Sequence, residues 1–149
     1  EKNMKIVNLW GLLFVGILLI PNILFSLRHR EGFENAWHNH LVETLEQIGR
    51  FGCFIFMWLQ VPGTCFGWPS DEAFALYLVL DAVLLLAYCV IWGICFNKSS
   101  LFRALALSIL PSLLFLASGF LSRSILLILA ALVFAPCHIL LSYKNAKQV

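Results

Sequence analysis

The stretch Val42–Val61, VETLEQIGRFGCFIFMWLQV, decides how the rest of the chain is read. Its length and apolar second half suit a helix that crosses a bilayer. Its first half, however, carries Glu43, Glu46, Gln47 and Arg50. At about 100° per residue these four fall on one helical face, and Cys53, Phe54 and Met57 continue the stripe. A charged side chain at the centre of a spanning helix costs on the order of 2.5–3.5 kcal/mol. A helix with such a face must turn it toward protein, water or a ligand. The expectation is a membrane protein with a polar interior.

The surrounding sequence agrees. Of 149 residues, 61% are hydrophobic and only 12% charged, whereas a soluble domain has a charged fraction nearer a quarter. The apolar residues come in blocks of about 20, enough for a helix to cross roughly 30 Å of hydrocarbon. They do not alternate as barrel strands would. The sequence therefore predicts an all-α, polytopic bundle of five transmembrane helices over 6–27, 42–61, 73–96, 101–120 and 124–143. These form a single integral membrane domain. Lys2 and Lys5 before the first apolar run resemble a signal peptide, but no small-x-small site precedes Arg28, so a retained span is expected.

The connection 28–41, RHREGFENAWHNHL, is the one substantial polar segment. Phe33, Trp37 and Leu41 recur every four residues after Gly32. That spacing suits a short interfacial amphipathic helix before the second span, with Trp37 as its anchor. Pro62-Gly63 ends the second span, and Ser70-Asp71-Glu72 reads as a capped helix start. The turn at 97–100 is short enough to make the third and fourth helices an antiparallel hairpin. The fourth carries a mostly small-residue stripe of Ala104, Ser108, Ser112, Phe115 and Gly119, suited to close packing.

Five spans place the termini on opposite sides. Lys2, Lys5 and Arg123 fall on one side; Arg28, Arg30, Lys98, Arg103, Lys144 and Lys147 fall on the other. The positive-inside bias then predicts a cell-membrane protein with its N-terminus outside and its C-terminus cytoplasmic. The lipid bilayer is the expected partner, with a homo-oligomer or a partner membrane protein beside it. A net charge of +2 with no basic patch excludes nucleic acid. Five cysteines without a CxxC pair support neither a disulfide framework nor zinc.

The candidate substrate- or ion-binding residues are the polar groups that rise per residue brings toward the inner half of the bilayer. They are Glu43, Glu46 and Arg50 on the second helix, Asn22 on the first, Asp81 on the third and His138 on the fifth. Arg50 and Asp81 approach the midplane from opposite ends and are expected to pair, because an ion pair removes most of the cost of either charge alone. In the functional reading Arg50 holds an anion while Glu46, His138 and Asp81 set charge and relay protons. Asn22, next to Pro21, is equally placed to bond the backbone carbonyl that the proline frees. His40, Glu43 and Glu46 could share a face, but one histidine and two carboxylates make a poor zinc set. No nucleophile elbow, phosphate loop or cofactor motif occurs, and no metal or cofactor is expected.

These features favour a small transporter or channel-like protein for a small molecule or ion, with a pathway lined by the second, third and fifth helices. The alternatives are a non-catalytic assembly subunit and an enzyme acting on a lipid-linked substrate, with Glu46 and His138 as acid and base.

Overall fold

The computed structural model describes residues 6–28, 38–97 and 100–148. Five helices run up and down between two ends: α1 Leu9–Arg28, α2 His40–Phe56, α3 Asp71–Cys95, α4 Leu101–Ser122 and α5 Ile125–Gln148. No strand occurs among the described residues, only two isolated bridges. Four helices, α1, α3, α4 and α5, are long and apolar enough to cross a membrane. α2 differs. Its 17 residues make it shorter than the four, and its first half is polar. The expected interfacial helix with Trp37 lies outside the described residues. α2 itself begins at His40, capped by Asn39, whose side chain accepts from the Val42 amide.

Packing order follows from which faces are small or apolar. α3 packs on α4, α4 on α5 and α5 on α2, while α1 leans on α3 alone among its longer contacts. Gly49 and Gly52 let α2 approach α5 closely. A Cβ at Gly49 would lie 2.6 Å from the Phe134 amide nitrogen, and one at Gly52 would lie 2.9 Å from the Ala130 Cβ. On α4 the small stripe faces the interior: Ser108, Ser112 and Gly119 are buried, and a Cβ at Gly119 would meet Ile128 of α5. On α3 the buried positions Tyr77, Asp81, Leu85, Tyr88, Trp92 and Cys95 recur every three or four residues. α1 is tied to that face by side-chain bonds at two levels, Asn8 to the Tyr77 hydroxyl (3.1 Å) and Asn22 to the Tyr88 hydroxyl (2.9 Å).

One end of the bundle is sealed. α2 stops at Phe56 instead of continuing to Val61, because the chain turns to bond the residues before α1. The Asn8 amide donates to the Trp58 carbonyl and the Gln60 amide to the Ile6 carbonyl, both at 2.7 Å. Gly11 lies against the Met57 carbonyl, where any side chain would clash. The loop 62–70 joins the α4–α5 turn through two backbone bonds, Phe66 to Arg123 and Ile125 to Thr64. Arg123 adopts a left-handed conformation (φ 54°) that caps α4, and its guanidinium donates to the Phe66 and Gly67 carbonyls.

Candidate functional site: a one-ended cavity over Glu46, Arg50 and His138

At the opposite end α1 and α2 do not pack on each other, and the space between them is a cavity of about 830 Å³. Its walls are Leu18, Asn22 and Phe25 of α1, Glu43, Glu46 and Arg50 of α2, and Tyr88 and Trp92 of α3. Arg103 and Leu107 of α4 and His138 and Ser142 of α5 complete it. Five of the six residues expected at a site, Asn22, Glu43, Glu46, Arg50 and His138, therefore line one cavity. Asp81 does not.

The centre is Glu46. Its side chain is only 3% exposed, yet it carries a carboxylate. Arg50, one turn further along α2, donates to Oε2. From α5, His138 Nδ1 reaches the same oxygen at 2.9 Å. Close approach at Gly49 is what brings α5 within reach. The His138 ring is held by stacking on Phe134, with centroids 4.6 Å apart. Burying the carboxylate is tolerable because two donors, one of them permanently charged, replace its water. Glu43 sits nearer the mouth, 3.4 Å from His38 Nδ1.

The expected Arg50–Asp81 pair does not form. Arg50 turns to Glu46 on its own helix, and Asp81 accepts from Ser118 Oγ of α4 (2.5 Å). Each finds a partner nearer by, and aromatic rings line the cavity that Arg50 faces and Asp81 does not reach. Phe115, fully buried, meets Phe54 edge-on at 6.1 Å and Phe134 at 5.8 Å. All three line the floor of the cavity. Ser118 lies one turn beyond Phe115 on α4, so Asp81 belongs to the sealed half. Depth along the axis alone could not reveal these partners.

Asn22 lines the cavity and bonds locally as well. Its amide donates to the Leu18 carbonyl (3.1 Å) and to Tyr88, not to the Ile17 carbonyl that Pro21 leaves without its usual partner. Tyr88, Trp92 and Arg103 are site residues that a polarity count along the chain passes over. Arg103 is one of the basic residues that the charge asymmetry places on the richer side. It is buried, donates to the Cys95 and Phe96 carbonyls at the end of α3, and lies 5.4 Å from the Phe25 ring centroid. The signal was present: a cation at the start of α4 opposes that helix's dipole and suits the end of the preceding one.

Two acids, Glu43 and Glu46, and two arginines, Arg50 and Arg103, balance in charge within the cavity. His38, His40 and His138 also line it. The volume falls within the range of small-molecule sites, and mixed apolar walls with a few convergent polar groups are typical of them. Neither a protein-family model, nor a curated protein, nor a solved structure matches this chain.

Proposed function

We propose that the protein is a membrane carrier for a small organic anion, with α2 serving as a fifth crossing and the cavity opening toward the cytoplasm. The observation that carries this reading is the cavity itself. It reaches the Glu46–Arg50–His138 cluster from one end, while backbone pairing at Asn8–Trp58 and Ile6–Gln60 closes the other. A central polar site with access from one side is one state of an alternating-access cycle. An always-open pore would instead need a path through the phenylalanine floor. Arg50 would hold the anion, with His138 meeting Glu46 at the same site. The asymmetry of basic residues supports a cytoplasmic position for the open end.

The test is counterflow in proteoliposomes preloaded with a panel of small carboxylates and phosphates. Wild-type protein is expected to accumulate at least one labelled anion. Arg50→Gln and Glu46→Gln should each reduce that rate at least tenfold. Rates equal to those of protein-free vesicles across the whole panel would refute the carrier reading.

A second reading draws on the Glu46–His138 contact, an acid–base pair facing a cleft between two helices. Such a pair could act on a lipid-linked substrate. An enzyme forms product in detergent micelles with no membrane to cross, whereas a carrier forms none.

A further inference from the structure

Asp81 is fully buried in the sealed half of the bundle. Oδ2 accepts from Ser118 Oγ, and Oδ1 has no hydrogen-bond partner. No ion pair among the described residues includes it. The polar groups beside it come from α1, α3, α4 and the sealing loop, and none of these is a cation. Tyr77 lies one turn earlier on α3, and its hydroxyl accepts from Asn8 at the head of α1. Ser118 stands on α4. The Cys65 thiol of the sealing loop donates to the Ser122 carbonyl.

A carboxylate with a single hydroxyl donor and one bare oxygen is among the most expensive groups to bury. A carboxylic acid in the same place costs far less. We infer that Asp81 holds a proton in this conformation and is a proton-binding site separate from the cavity, to which the movement of the carrier is coupled. The purpose of the proton rests on the carrier reading; its presence does not.

The geometry also gives the proton's route. Asp81 does not line the cavity, and Phe54, Phe115 and Phe134, which do, pack on one another. On the other side the obstacle is Trp68, whose ring lies 4.8 Å from Phe74 and 5.1 Å from Tyr77. The loop that carries it is held by Arg123 at the Phe66 and Gly67 carbonyls. When that loop lifts, the Asp81 O–H bond can break, its proton passing to water of the opposite compartment and the electron pair staying on the carboxylate. Reprotonation restores the buried acid, and no other bond changes.

The test is infrared spectroscopy of the purified protein in lipid nanodiscs at neutral pH. The C=O stretch of an un-ionised carboxylic acid is expected in the wild type and should be absent from Asp81→Asn. Ser118→Ala keeps the acid but removes the bond to Oδ2, so its band should shift to higher wavenumber. Deuterium exchange of the band should be slow in the wild type and about tenfold faster in Arg123→Gly. No band in the wild type, a band that survives Asp81→Asn, or one unmoved by Ser118→Ala would each overturn the assignment. The measurement needs no solute. A missing band removes the proton site and leaves the carrier standing, whereas a band without solute flux does the reverse.

Discussion

Replacing Arg50 by alanine should cost more than replacing Glu46, and removing both should cost less than removing Arg50 alone. The asymmetry comes from burial. The Glu46 side chain is 3% exposed and that of Arg50 34%, through its contact with the cavity. Arg50→Ala leaves a buried carboxylate with His138 as its only remaining donor at Oε2. Breaking a buried pair costs about 3–5 kcal/mol, and the remaining His138 contact should keep the loss near the lower limit, about 3 kcal/mol. Glu46→Ala instead leaves a guanidinium that can reach water in the cavity, so the penalty is partly screened. A loss of about 1–2 kcal/mol is expected. The double variant has no stranded charge and should resemble Glu46→Ala, recovering about 1–2 kcal/mol from Arg50→Ala. Equilibrium unfolding of the four proteins in bicelles gives the comparison. Single losses that add in the double variant to within about 0.5 kcal/mol would mean that the two residues act independently, and the charge cluster would have to be abandoned.

Other variants probe the scaffold. Gly49→Ala places a methyl group against the Phe134 backbone. Overpacking of about 1–3 kcal/mol should exceed a helix-propensity gain of about 0.5–1 kcal/mol, and the widened α2–α5 gap should weaken the Glu46–His138 contact. Gly16→Ala meets nothing within 4 Å and should stabilise by about 0.5–1 kcal/mol; thermal unfolding of the pair checks both signs. Arg123→Gly keeps the left-handed backbone comfortable while deleting two bonds to the sealing loop. Alkylation of Cys65, buried in the wild type, should then rise about tenfold, the equivalent of about 1.4 kcal/mol of lost protection. An unchanged rate would show that the loop is held by its backbone bonds alone.

Much of the fold was legible because helix periodicity is a local property. Ser70 and Ser100 cap α3 and α4 through their hydroxyls, and the apolar blocks mark where the long helices lie. The boundary of α2 was not legible. Its C-terminal end is set by pairing with residues near position 7, about fifty positions away in sequence, and no local pattern records that. The same division holds for the site. The polar stripe of α2 announced Glu46 and Arg50, and depth along the axis put His138 at the level of Glu46. Which polar groups touch depends on helix order and on ring packing, and the place of Phe115 on the packing stripe of α4 did not show which rings it would meet. The Asp81–Ser118 bond and the burial of Arg103 arise from contacts between helices. The close approach at Gly49 and Gly52 had a sequence signal, two glycines three residues apart on the stripe's flank. Its meaning emerged only with Ala130 and Phe134 opposite.

The most direct measurement is the accessibility of position 47, which lines the cavity and is exposed to it. Gln47→Cys, in a background with the five native cysteines replaced, can be challenged in sealed vesicles by a membrane-impermeant thiol reagent from each side in turn. Labelling is expected only from the side of the α5 C-terminus, and a transported anion should slow it. Protection from both sides would mean that no open cavity reaches Glu46, and equal labelling from both would mean that the phenylalanine floor is no barrier.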